Sequence, residues 1–139
     1  MSKITATTAN TNKSVIYSDF FTDFSRHINT GQLNTKTNED AVKQSIRNLL
    51  LTDRYERPFQ PEIGCDLQAL LFENFTPSTQ ITAETIVQQC IEKYEPRAIL
   101  HNVVCAPSID MNSLAITIQF SIINNSEPNT IEVLIQRTR

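Results

Sequence analysis

Ala83-Glu84-Thr85-Ile86-Val87-Gln88-Gln89-Cys90-Ile91-Glu92-Lys93-Tyr94-Glu95-Pro96-Arg97 carries one kind of structure into another. Ala83, Ile86, Val87, Cys90, Ile91 and Tyr94 recur at steps of three and four, so one helical face is apolar. Glu84, Gln88, Glu92 and Lys93 occupy the other. Pro96 stops the helix by pushing Glu95 toward extended backbone, which fixes the direction in which the chain leaves. Arg97 leaves with it. Its five-donor fork can hold Glu95, another carboxylate, or backbone carbonyls of a neighbouring chain. The plainer alternative is a helix stop with a surface ion pair, worth ~0–1 kcal/mol.

Beyond Arg97 the period changes from helical to alternating. Leu114, Ile116, Ile118, Phe120 and Ile122 alternate with Ala115, Thr117, Gln119 and Ser121, the pattern of a strand with one buried face. Ile131, Val133 and Ile135 repeat it. Residues 124–129 read as a turn-rich connection, and Ala98 to Cys105 as an earlier strand ending at Pro107. The fold class is therefore α+β: a small antiparallel sheet of about three strands packed with two to three helices. One sheet edge should be open or capped by a partner.

Upstream, Asn38 is placed as an N-cap, with Glu39 and Asp40 opposing the positive end of the helix dipole. Val42, Ile46, Leu49 and Leu50 make the apolar stripe of a helix over about 39–51. Pro58 and Pro61 bracket Phe59 in a loop, and Phe59 is expected to plug the core. Gly64 can turn the chain through positive φ. Asp66 is expected to cap a short helix burying Leu67, Leu70, Leu71 and Phe72. Pro77 separates it from the long helix, which should begin near 78–82. The aromatic cluster Tyr17, Phe20, Phe21 and Phe24 is expected to pack on the domain. Asn29-Thr30-Gly31 reads as a turn. Residues 1–14, mostly Thr, Asn, Ser and Lys, read as a flexible arm, and 15–139 as a single domain with a helical middle (38–95) and a β-meander (97–137).

The 139 residues and 40% hydrophobic content allow one modest core. A formal charge of −3 gives no basic footprint, so nucleic acid is not an expected partner. No segment has the apolar length of a membrane span or a signal-peptide core, so no membrane partner is expected either. Cys65, Cys90 and Cys105 lack paired spacing and companion histidines. They are expected as buried free thiols, with no metal and no cofactor. Two glycines leave no phosphate-cradling loop.

Taken in order, Arg57-Pro58-Phe59, Gly64-Cys65-Asp66 and Tyr94-Glu95-Pro96-Arg97 form a constellation more specific than any one of its parts. In it the chain resembles the short baseplate wedge proteins of contractile-tailed, T-even-like phages. That family is also similar to a baseplate subunit of the type VI secretion system. The resemblance runs from about Tyr17 to the C-terminus and is strongest from Arg57 to Arg97. It implies a structural protein of the virion's tail baseplate, assembled in the host cytoplasm, that helps initiate the contractile sheath. Implied partners are other wedge proteins, the first ring of sheath subunits and tube-proximal proteins. By the same resemblance Glu95, Pro96 and Arg97 are partner-binding residues. Arg57, Pro58, Phe59, Gly64, Cys65 and Asp66 form either a wedge interface or a structural motif. A sheet edge can accept a neighbour's strand through backbone hydrogen bonds, with a charged pair setting register.

Two other function classes find some support in the residues. Glu56, Glu62, Asp66, Glu73 and Glu95 supply enough carboxylates for a lysozyme-like cell-wall hydrolase. Loop charge, helix capping and ion pairs with Arg54, Arg57 or Arg97 account for the same acids without catalysis, so no enzyme is expected. A Cys-His nucleophile drawn from Cys65, Cys90 or Cys105 with His27 or His101 is disfavoured, because packing accounts for these residues. A generic binding adaptor differs from the wedge reading in having one soluble partner and no place in a particle.

Overall fold

The alternating run after residue 112 becomes the middle of the molecule. In the computed structural model, which describes residues 14–74, 76–108, 113–123 and 125–136, Ser113–Ile122 forms the central strand of a three-stranded antiparallel sheet. In chain order the elements are β1 (Ser18–Phe20), β2 (Thr35–Thr37), α1 (Asn38–Leu51), α2 (Leu67–Leu70), α3 (Pro77–Tyr94), β3 (Ala98–Ser108), β4 (Ser113–Ile122) and β5 (Asn125–Gln136). The sheet order is β3-β4-β5, and β1 pairs with β2 in a separate hairpin. The expected α+β class is what the chain adopts. The β1–β2 hairpin adds a second small sheet.

Register follows the hydrophobic pattern. Leu114, Ile116 and Ile118 of β4 stand opposite Ile135, Val133 and Ile131 of β5, and all six are buried. A one-residue slip would turn this set to the solvent face, which is why the pairing is well specified. Phe120 and Ile122 extend the buried row. Val42, Ile46 and Leu50 of α1, and Ala83, Val87, Cys90 and Ile91 of α3, pack into the same cluster, with Ile86 and Tyr94 partly buried at its margin. Helices thus cover one face of the sheet, while Gln119, Glu132 and Leu134 remain exposed.

Several boundaries move for physical reasons. Asn38 is the first residue of α1, and its side chain does not cap the helix. Its Oδ1 accepts the N–H groups of Ile16 and Tyr17 at 2.9 and 3.3 Å, and its Nδ2 donates to the Ser14 carbonyl, so it ties down the N-terminal segment. Asp66 likewise makes no side-chain cap bond to α2. Pro77 does not precede the long helix as a break but occupies its first turn, where a missing N–H costs nothing. The Thr76 side chain accepts from the Thr79 N–H to cap it. β3 continues through Pro107 to Ser108, as an edge strand can. β5 starts at Asn125, which pairs with Ile122, so the expected turn over 124–129 is mostly strand.

Other expectations fail on burial. Phe72 is 61% exposed, and in the aromatic cluster Phe20 and Phe24 are exposed, leaving Tyr17 as the member packed on the core. His101 is exposed because a bulge between Leu100 and Asn102 breaks strand parity, and its Nε2 pairs with Ser121 Oγ. The arm expected at 1–14 lies outside the described residues except for Ser14, as do Asn124 and Arg137.

The cysteines also depart from expectation. Cys65 and Cys90 are paired as a disulfide, with Cα atoms 6.2 Å apart, and only Cys105 is a free thiol. Their 25-residue separation hides a contact made by the fold, since the loop before α2 returns onto α3. Burial, and then the Glu84 carboxylate, push the Cys105 thiol up to about 12. Iodoacetamide at about pH 8 is expected to leave Cys105 unmodified in the folded protein and to label it after denaturation. Rapid labelling of the native chain would contradict this assignment.

Candidate functional site: the helix–strand junction, the proline loop and the sheet edges

α3 ends as its pattern requires, and the exit places three residues in one arrangement. The Glu95 N–H still donates to the Ile91 carbonyl at 2.8 Å, closing the last turn. Pro96 follows, exposed, and Arg97 folds back so that Nε and Nη2 bond both carboxylate oxygens of Glu95, the latter at 2.7 Å. This is the bidentate fork that a planar guanidinium favours. Glu95 is 2% exposed, so the pair is rooted in the interior and is not a surface ion pair.

Burial raises the Glu95 carboxyl. Hydrogen bonds from Arg97 and Ser45, the Arg97 charge and the Arg97 backbone outweigh it, and the net shift is downward from the ordinary carboxylate value. Arg97 is held charged above its usual range, chiefly by its hydrogen bond to Glu95. Its guanidinium lies 5.4 Å from the Tyr17 ring centroid, within cation–π range. Ser45 brings in α1 and Tyr17 the N-terminal segment. The Arg97 carbonyl accepts the Ile123 N–H at 3.2 Å, adding the end of β4. The Glu-Pro-Arg tripeptide was visible in sequence; Ser45 and Tyr17 were not, because nothing local marks a serine on a helix as a carboxylate donor.

The proline loop places its residues differently. Gly64 and Cys65 are buried, whereas Arg57, Pro58, Phe59 and Asp66 are exposed. Phe59 is 100% exposed, which overturns its expected place in the core. The cause is backbone geometry: φ is +72 at Phe59 and +68 at Tyr55, and the Tyr55 N–H donates to the Pro61 carbonyl at 2.9 Å. The chain closes into a turn that directs Phe59 away from the body. At its root the Tyr94 hydroxyl donates to the Glu62 carbonyl at 2.6 Å and the Cys65 N–H to the Thr52 carbonyl at 2.9 Å. Burial, then the charges of Glu56 and Asp66, raise the Asp53 carboxyl beside it.

The two outer strands are not equivalent. α3 packs along β3, and the Glu84 carboxylate accepts the Cys105 N–H at 3.1 Å, so β3's outer side is partly occupied by the chain itself. β5 ends the sheet, and among the described residues no segment pairs with its outer side. Glu127, Pro128, Thr130 and Glu132 are exposed along it, a composition that discourages indiscriminate strand pairing. Of Glu56, Glu62, Asp66, Glu73 and Glu95, the first four are exposed and Glu95 has both oxygens engaged by Arg97. Among the described residues no His, Cys, Asp and Glu group could hold a metal ion, and no helix is long and apolar enough to cross a membrane.

The family model described as baseplate wedge protein gp25 matches residues 36–127. The chain is similar to the baseplate wedge protein gp25 of Enterobacteria phage T4, 40% identical over 92 residues that span 66% of this chain and 68% of that protein. Among solved structures, a provisionally named tail lysozyme from Geobacter sulfurreducens shares the fold at TM-score 0.66 and 24% identity, over 73% of this chain and 92% of that one. A chain of the anti-feeding prophage baseplate shares it at TM-score 0.61 and 20% identity, over 88% and 87%. A chain of the type VI secretion baseplate complex does so at 0.62 and 13%, over 70% and 92%.

Proposed function

Because the chain belongs to the baseplate wedge protein gp25 family, and so is a structural component of a contractile-tail baseplate, we propose that it initiates the sheath by accepting a strand on β5. The observation that carries this is the asymmetry of the sheet: among the described residues no strand pairs with the outer side of β5, while β3 has its Cys105 N–H already taken by Glu84. An extended segment of a first-ring sheath subunit would add to β5 through backbone hydrogen bonds. That mode makes little demand on side chains and leaves selection to features beside the edge. Pro128 and the edge glutamates work against unspecific pairing, so the incoming segment must bring its own complement.

Glu95 and Arg97 serve this role by fixing the start of β3 and hence the position of the whole sheet. Two of the five Arg97 donors are spent on Glu95, and the rest remain for a neighbouring wedge protein on the side left partly exposed. The remaining partners of this reading are other baseplate subunits and tube-proximal proteins. The hydrolase reading has in its favour only the fold shared with the provisionally named tail lysozyme, and the buried member of its acid set is held by a bidentate arginine.

Hydrogen exchange tests the strand-addition step. In the isolated protein the outward amides of β5 should exchange rapidly and those shared with β4 slowly, and in assembled tails both sets should be protected. Outward β5 amides that stay equally fast in tails, or a tail reconstruction with β5 bare, would overturn the proposal.

A further inference from the structure

The closed turn over residues 55–61 is unusual in what it exposes and in how firmly it is held. Phe59 is 100% and Tyr55 82% exposed, and both sit at positive φ, a conformation that side-chain-bearing residues adopt at an energetic cost. Such strain persists where the surroundings over-determine it. Here the Tyr55 N–H to Pro61 bond closes the turn, two prolines stiffen it, and the Tyr94 hydroxyl, the Thr52 carbonyl and the Cys65–Cys90 pair anchor its root. Arg54 and Arg57 flank the aromatics, are exposed, and form no ion pair among the described residues. Glu56 is different, since its Oε2 accepts the Asp53 N–H within the loop. The tip therefore offers two apolar rings and two guanidinium groups that form no ion pair among the described residues, on a pre-ordered support, with Arg57 also bordering the cleft beside Asp19 and Tyr94.

We propose that this turn is a docking knob whose Phe59 and Tyr55 enter an apolar socket on a neighbouring baseplate subunit, with carboxylates on the socket rim meeting Arg54 and Arg57. Aromatic and arginine side chains carry most of the energy at protein interfaces, and a pre-ordered loop loses little entropy on docking. The two guanidinium groups at the tip call for acidic groups opposite, beside the one carboxylate, Glu56, that the turn carries between them. The inference rests on the chain being a baseplate component, but not on strand addition at β5. It chooses the interface role for Arg57, Pro58 and Phe59 and leaves Gly64 and Cys65 as the hinge and anchor beneath them.

The test uses wedge precursors isolated from cells infected with phage lacking this chain, to which the purified full-length protein is added. Phe59→Ala and Arg57→Glu should leave the melting temperature and circular dichroism of the free protein unchanged, because among the described residues neither side chain forms a hydrogen bond or an ion pair. Incorporation into wedges should fall about tenfold or more. A photo-crosslinking phenylalanine analogue at position 59 should link to one baseplate subunit, whereas the same analogue at exposed Thr82 should not give that product. Wild-type incorporation of both variants, a lowered melting temperature for Phe59→Ala, or identical crosslinks from 59 and 82 would each overturn the proposal. Crosslinking from 59 in tails whose β5 amides remain unprotected would separate this inference from the failure of strand addition.

Discussion

Replacing Arg97 with alanine is expected to lower the stability of the isolated protein by about 2–4 kcal/mol, since it strands a buried carboxylate. For a domain of this size that is a fall in Tm of roughly 10 °C. The asymmetry of the pair makes the prediction specific. Glu95 is 2% exposed and cannot recover hydration, whereas the Arg97 side chain is 30% exposed and can. Glu95→Gln should therefore cost less than Arg97→Ala, and the double variant less than the sum of the two.

The pH dependence supplies a second, independent sign. In the native protein Glu95 lies below its ordinary value of 4.5, so its contribution is fully present above that value and is lost as pH falls through the folded pKa. In Arg97→Ala the Arg97 side-chain contributions vanish, and burial, which raises the carboxyl, is left opposed by Ser45 and the backbone N–H of residue 97. The variant should thus regain stability relative to the native chain as acid protonates Glu95. Denaturation curves from about pH 7 to pH 3 should converge; curves that stay parallel would show that the pair is not the cause. Replacing both residues by apolar ones of similar size, Glu95→Leu with Arg97→Met, tests the functional half, because such swaps are often neutral for stability. A stable double variant that still fails to start sheaths assigns Arg97 a contact outside its own chain. Normal tails from that variant would reduce the pair to architecture.

What sequence could convey here depended on whether a residue's role is local. The helix over Ala83 to Tyr94 and the strand over Leu114 to Ile122 were readable because burial of one face imposes a period, and the period survives any detail of packing. The Glu95–Arg97 contact was one of three partnerships that the sequence left open to Arg97, and the nearest, since only Pro96 separates the two residues. Phe59 was misread for the opposite reason. A phenylalanine between prolines is ordinarily a core residue, and only the backbone dihedrals at 55 and 59 direct it outward. Asn38 looked like a cap by composition but is used to hold the segment 14–17, a contact more than 20 residues away. Cys65 with Cys90, and Glu84 with the Cys105 N–H, are likewise products of tertiary approach. The proposed choice of β5 over β3 as the accepting edge rests on that last contact, so no strand pattern could have revealed it.

Gly64→Ala is expected to be the other severe substitution, at about 2–5 kcal/mol, and it separates hinge from interface within the proline loop. Gly64 has φ +145, and a Cβ there would lie 2.6 Å from the Thr52 carbonyl oxygen and 2.8 Å from the Asp53 carbonyl. Backbone atoms cannot swing aside as a side chain can. The end of α1 would have to retreat, weakening the bond from the Cys65 N–H to Thr52 and drawing Cys65 from Cys90. Gly31 is the internal control, because its φ of +67 is also left-handed but a Cβ there meets nothing within 4 Å. Gly31→Ala should cost only the backbone term, about 1–2 kcal/mol. Urea denaturation of the two variants side by side decides the matter. If Gly64→Ala is no worse than Gly31→Ala, the loop root yields easily and cannot be the rigid base on which Phe59 is presented. If it is much worse, the Gly64-Cys65 step is a structural hinge whose tightness holds the strained tip in place.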